Sequence, residues 1–113
     1  MSAPEVLFVK VNIKIFRDDG FLAAIGADRL HTLIALATYM DKDGFCYPSE
    51  SLLGKNLGIS ATQVSQRIKD LATFRWKEGV VISVDKLKRE KGRFQNNCYF
   101  ISFDCGVSIF DNN

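Results

Sequence analysis

The sequence predicts an α+β fold in which a core of three helices is followed by a β-hairpin, with one additional strand near the N-terminus. Three observations predict it. Apolar residues recur at helical spacing over residues 28–40 and 49–73, and a glycine interrupts the second of these segments. Two β-branched and aromatic runs then flank a basic segment, as the strands of a hairpin do. An alternating run near the N-terminus supplies the additional strand.

Residues 6–16 form the predicted N-terminal strand. The segment begins as an apolar run, and Lys10, Asn12 and Lys14 then alternate with apolar residues, which is the period of a strand. Such a strand needs a partner. A second copy of the chain would provide one, so residues 1–27 are a candidate dimerisation element, and the expected partners include a homodimer formed through this strand.

The first helix of the core is predicted over residues 28–40. Asp28 is a suitable N-cap, and the apolar positions that follow it recur at the spacing of one helix face. The Asp41-Lys42-Asp43-Gly44 segment then predicts a tight turn. The single histidine, His31, lies on this helix and is expected to be structural or exposed.

Two short helices are predicted next, separated by a glycine turn. Ser49 can cap the first of them, and Gly58 lies where a helix commonly ends in a left-handed residue. Ser60 opens the second helix, and Gln63 is three residues later, in capping-box position. The buried stripe of this helix is expected to consist of Val64, Ile68 and Leu71.

The opposite face of the last helix is polar. Thr62, Gln66, Lys69 and Thr73 point away from the buried stripe at about 100° per residue, with Gln63 and Ser65 on its flanks. Short hydrogen-bonding side chains and a cation in this arrangement are typical of a helix that contacts base edges and phosphates from the major groove. An ordinary helical hairpin with a solvated outer face is the alternative interpretation.

A β-hairpin is predicted after the helices, with strands at residues 79–84 and 97–103. The connecting residues 85–96 carry five Lys or Arg against two Asp or Glu. The segment 85–96 therefore predicts a basic projection from the domain. Trp76 is expected to close the core where the helix gives way to the hairpin.

Composition and charge favour one small nucleic-acid-binding domain. The chain has 113 residues, 47% of them hydrophobic, and a formal net charge of only +2. Residues 46–103 nevertheless hold ten Lys or Arg against five Asp or Glu. A locally basic face on a nearly neutral protein is the electrostatic footprint of a nucleic-acid binder.

Other classes of protein find little support in the sequence. The three cysteines, Cys46, Cys98 and Cys105, have no CxxC spacing, so neither a metal site nor a disulfide framework is predicted, and a reducing cytoplasmic location is expected. The sequence contains no run of eighteen apolar residues, so no membrane span is predicted. No phosphate-binding glycine loop and no catalytic histidine motif occurs. We therefore expect neither enzymatic activity nor a cofactor.

Four local motifs resemble a known family. They are Tyr47-Pro48-Ser49, Leu53 to Leu57 with Gly58-Ile59-Ser60, Thr62-Gln63-Val64, and the return segment from Gly92-Arg93-Phe94 to Tyr99. Together they resemble the winged helix-turn-helix domains of bacterial replication initiators and related plasmid or phage proteins. The resemblance covers residues 28–103, with residues 1–27 as a lead-in and residues 104–113 as a tail or linker. One extra residue separates Thr62 from Val64 relative to the family pattern.

The resemblance implies a protein that binds double-stranded DNA, either as the origin-binding domain of a replication initiator or as a small transcriptional regulator. The helix at residues 60–73 would enter the major groove, and the wing at residues 85–96 would lie on the phosphate backbone. Arg67 departs from the small or apolar residue of the family, which leaves open whether it reaches DNA or lies along the core edge. The candidate DNA-binding residues are Ser49, Ser60, Thr62, Gln63, Ser65, Gln66, Arg67, Lys69, Lys86, Lys88, Arg89, Lys91 and Arg93.

A second class of function remains open. A winged helix can also serve as a protein-interaction or oligomerisation module without direct contact to DNA. In that case the N-terminal strand would pair with its copy in another chain, and the wing would be a solvated hairpin.

Overall fold

The computed structural model describes residues 6–85 and 97–112, and the predicted α+β class is confirmed. The helices are α1 (Phe21–Ile25), α2 (Ala27–Ala37), α3 (Glu50–Leu57) and α4 (Ala61–Thr73). The strands, all in antiparallel pairs, are β1 (Val6–Val11), β2 (Phe45–Cys46), β3 (Arg75–Trp76), β4 (Gly79–Val80), β5 (Ile82–Asp85), β6 (Cys98–Ile101) and β7 (Val107–Asn112).

The core lies where α2, α3 and α4 meet. Leu33 and Leu36 of α2 are completely buried, as is Leu53 of α3. The predicted stripe of α4 faces them, with Val64 and Leu71 fully buried and Ile68 almost so. The helix phase inferred from the sequence is therefore confirmed for α4.

A short helix and an aromatic cluster extend this core in a way that the sequence did not predict. Phe21 of α1 is fully buried, and its ring lies 5.1 Å from Phe16 and 5.1 Å from Trp76, centroid to centroid. Trp76 packs against the core with part of its surface exposed. It lies in β3, directly after α4, where the sequence placed the closing residue of the core.

The hairpin that follows α4 is more complex than predicted. Gly79–Val80 pairs with Arg75–Trp76 in a separate small hairpin, so the predicted strand at residues 79–84 is divided. Its second half is β5, which pairs with β6, and β2 adds to the other edge of β6. The predicted second strand ends at Ile101, because residues 103–105 form a 3-10 turn. The basic residues 86–96 lie outside the described residues.

The N-terminal strand is shorter than predicted and has a partner in its own chain. β1 ends at Val11, where the side-chain Oδ1 of Asn12 accepts a hydrogen bond from the Ile15 N–H and a π-helical turn begins. This local hydrogen bond outweighs the alternating pattern that continues to residue 16. β1 pairs with β7 over its whole length. The segment interpreted as a tail or linker, residues 104–113, thus contains a strand, and Val107 within it is fully buried.

Candidate nucleic-acid interface

Two hydrogen-bonded caps fix where α3 and α4 begin. The Ser49 hydroxyl oxygen accepts from the Leu52 N–H at 3.0 Å, and the Ser60 hydroxyl oxygen accepts from the Gln63 N–H at 3.1 Å. Gln63 Oε1 in turn accepts from the Ser60 N–H at 3.0 Å, which completes a capping box. These three predicted DNA-contact residues therefore already use oxygen atoms to hold the helix ends. The predicted caps Ser49 and Ser60 are confirmed, whereas the predicted cap Asp28 is wrong: α2 begins at Ala27 after Gly26, so Asp28 lies inside its first turn.

The turn between α3 and α4 depends on two glycines. Gly58 has a φ of 74°, a left-handed conformation that glycine adopts without a steric penalty. Gly54 is buried inside α3, where an added Cβ would lie only 2.7 Å from the carbonyl oxygen of Ile59. The role of Gly54 was not predicted, although a glycine in a helix interior is itself a signal of close packing. The two glycines let the turn lie directly against α3.

One face of α4 is covered by no other described element. Thr62, Gln66, Lys69 and Thr73 are all exposed on it, and we call these four residues the outer face of α4. Gln63 at its edge is also exposed, whereas Ser65 is half-buried. From Thr62 to Thr73 the outer face extends about 16 Å at 1.5 Å per residue. The structure thus brings together the neutral hydrogen-bonding residues and the one lysine that the sequence assigned to this surface.

Arg67 lies on the flank of α4 and faces α2. Its Nη1 atom is 3.3 Å from Nδ1 of His31, and its Nη2 atom is 3.8 Å from Oδ1 of Asp28. A second pair joins the same two helices, with Arg29 Nη2 3.2 Å from Asp70 Oδ1. Arg67 is therefore not part of the outer face of α4. The sequence left open whether Arg67 reaches DNA or lies along the core edge. In the structure it lies along the edge of the helical core, against α2.

The predicted backbone-contact residues of the wing, Lys86, Lys88, Arg89, Lys91 and Arg93, lie outside the described residues. The strands that flank them are paired as far as Asp85 and Cys98. The chain therefore leaves and re-enters the sheet at neighbouring positions. β5 and β6 are thus an antiparallel pair, as predicted for the two strands of the hairpin.

Burial keeps several ionisable groups of the core neutral. It raises the pKa of the Cys46 thiol to about 12, and it also raises the pKa values of Cys105 and Tyr99. A buried thiol with a raised pKa is a poor nucleophile at neutral pH. Within the described residues, no group of three or more His, Cys, Asp or Glu side chains is arranged to hold a metal ion.

None of the helices in the described part of the chain has the length and apolar character needed to cross a membrane.

Comparison with models of known protein families, with curated proteins and with solved structures gives no match to this chain.

Proposed function

We propose that this protein is a winged helix-turn-helix protein that binds double-stranded DNA. In this proposal α2, α3 and α4 are the three-helix core, α4 is the recognition helix, and residues 85–96 are the wing. The observation that carries the proposal is the outer face of α4, a row of exposed Thr and Gln side chains with one lysine on a helix whose start is fixed by a capping box. Amide and hydroxyl groups on such a helix match the donor and acceptor pattern of the major groove.

Charge and polarity favour DNA over a protein partner for this surface. A protein-binding helix face is normally apolar or aromatic at its centre, with charged residues depleted there. The exposed residues of α4 are polar or charged except for Ala61 at its first position. Five of the fifteen Lys and Arg of the sequence also lie within residues 86–93, which connect β5 to β6 in the sequence. We propose origin binding by a replication initiator, or transcriptional regulation, as the biological role.

The second candidate, an oligomerisation module, is favoured by β1. Leu7 is 56% exposed and Val11 is 41% exposed, and within the described residues β1 is paired along one edge only. An apolar edge strand can pair with its copy in a second chain. A homodimer formed in this way is compatible with DNA binding, because a two-fold dimer suits a palindromic site. Sedimentation of the parent protein and of Leu7→Lys would test for this dimer.

The decisive experiment is a fluorescence-anisotropy titration at two salt concentrations. A random duplex library would first be selected on the parent protein to obtain a preferred duplex, which is then compared with an unselected one. Gln66→Ala should weaken binding to the preferred duplex by about 1–3 kcal/mol and leave the unselected duplex almost unchanged. Ser83→Ala, an exposed change on β5, is the control. Equal losses on both duplexes would contradict base recognition by Gln66.

The wing has its own test. Changing Lys88, Arg89 and Lys91 together to Ala should weaken both duplexes by similar factors. The slope of log K against log salt should become shallower by roughly 1 to 3 units, depending on how many of the three touch phosphates. An oligomerisation module predicts a different result, in which the parent protein has no measurable duplex affinity and its dimerisation is unaffected by the triple change.

A further inference from the structure

Helices α2 and α4 meet through a crossed set of charges. Asp28 and Arg29 are neighbours on α2, and they face Arg67 and Asp70, which lie about one turn apart on α4. Each arginine is paired with a carboxylate of the other helix, at 3.8 Å for Arg67 and Asp28 and at 3.2 Å for Arg29 and Asp70. His31 adds a contact 3.3 Å from Arg67. We call these five residues the α2–α4 charge cluster.

Arg29 extends the cluster to the ends of three helices. Its Nη1 atom donates to the carbonyl oxygen of Ile25, the last residue of α1, at 3.2 Å. Its guanidinium carbon lies 5.0 Å from the centroid of the Phe74 ring, directly after α4. Contacts with a carboxylate, a carbonyl and an aromatic ring favour one orientation of a planar guanidinium. The cluster therefore links α4 to α2 and to the end of α1.

The apolar core and the charge cluster act on α4 in different ways. Burial and close packing of Val64, Ile68 and Leu71 stabilise α4 against its neighbours, but the hydrophobic effect itself is non-directional. Base recognition is directional, because bidentate hydrogen bonds to base edges require side chains at defined positions. Ion pairs on the flank of α4 would restrict rotation of the helix about its axis.

We infer that the α2–α4 charge cluster positions the recognition helix, and that Arg67 acts on DNA binding through the orientation of Thr62 and Gln66 without touching DNA itself. This inference rests on the proposed function. It makes Arg67 a positioning residue, and it leaves Lys69 as the cation of α4 that reaches the backbone of DNA. Arg67 and Lys69 lie two residues apart on α4, and their substitution should then have different effects on DNA binding.

Exchanging the charges of one pair tests the inference. Arg67→Asp should reduce the preference for the selected over the unselected duplex by about two- to fivefold, the equivalent of one surface ion pair. The double variant Asp28→Arg with Arg67→Asp recreates the pair with its polarity reversed and should restore most of that preference. Arg67→Gln should leave the salt slope unchanged, whereas Lys69→Gln should flatten it by about 0.9 units.

Two results would overturn the positioning role. One is a salt slope flattened equally by Arg67→Gln and Lys69→Gln, because Arg67 would then contact a phosphate. The other is a double variant that regains the parental denaturation midpoint but not the duplex preference, because the cation would then be needed at position 67 itself. A parent protein that binds no duplex would instead refute the proposed function, and the positioning role with it. If the parent binds DNA and the double variant regains the denaturation midpoint but not the duplex preference, the positioning role alone is refuted.

Discussion

Replacing Gly54 by Ala provides a test in which two physical effects have opposite signs. Alanine in the middle of a helix is favoured over glycine by about 0.5–1 kcal/mol, because glycine loses more conformational freedom on folding. At this position, however, the added methyl group would lie 2.7 Å from the carbonyl oxygen of Ile59. The outcome depends on which effect is larger.

The geometry favours the steric effect. The obstructing atom belongs to the backbone of the turn, so it cannot move aside by a change of side-chain rotamer. The Cβ would also approach Val64 Cγ2 to 3.6 Å, an ordinary contact, so the strain is concentrated on the turn. Overpacking of this kind costs typically about 1–3 kcal/mol, which exceeds the propensity gain. We expect Gly54→Ala to lower the free energy of unfolding by up to about 2 kcal/mol.

Chemical denaturation monitored by circular dichroism would measure this change, with Ser51→Ala on the exposed side of α3 as the control. Because the turn sets the angle between α3 and α4, the variant should also lose preference for the selected duplex. A rise in the denaturation midpoint for Gly54→Ala would refute the reasoning, since it would mean that α3 and the turn are not in backbone contact.

Three further predictions concern the helices and the core. Ile68→Ala should lower the free energy of unfolding by about 2–5 kcal/mol. The exposed change Thr62→Ala should alter it by no more than about 0.5 kcal/mol. Equal effects of the two changes would mean that the helix phase assigned to α4 is wrong. Ser60→Ala removes the capping box and should cost about 1 kcal/mol, measured in the same denaturation assay. Burial raises the pKa of Cys46 from 9.0 to about 12, so its contribution to stability is complete below pH 9 and is lost as the pH rises toward 12. Unfolding measured across that range should show a shallower loss of stability for Cys46→Ala than for the parent.

The elements that could be predicted from sequence are those whose signals are local. Ser49 and Ser60 cap their helices through hydrogen bonds to residues three positions later, so their role is contained within a few residues. The stripe of α4 follows from helical periodicity in the same way. The end of β1 was missed because it depends on the Asn12 side chain and on the hydrogen bond from the Asn12 N–H to the Gly106 carbonyl, 94 residues away. β7 was missed because its strand partner is at the other end of the chain.

The residues of the candidate site also divide into those predictable from local sequence and those that depend on distant contacts. The exposure of Thr62, Gln66 and Lys69 followed from helix phase alone. The direction of Arg67 did not, because a long side chain on the flank of a helix can lie either toward solvent or along the neighbouring helix. The position of Asp28 on α2 decides between these two directions. Only the packing of α2 on α4 brings that carboxylate within 3.8 Å of the guanidinium.

If the protein binds DNA as proposed, its distribution of charge implies that sequence specificity and affinity come from different parts of the chain. Residues 49–73 contain three cations and two carboxylates, and one of the cations, Arg67, faces α2. Base contacts from the outer face of α4 can discriminate between sequences, but most of the salt-dependent affinity for duplex DNA comes from phosphate contacts by Lys and Arg. Helix α4 offers few such contacts. Residues 86–93 hold five of the ten Lys and Arg of residues 46–103, and we expect them to supply most of that affinity. A variant without cations there should keep its sequence preference while losing affinity for every duplex.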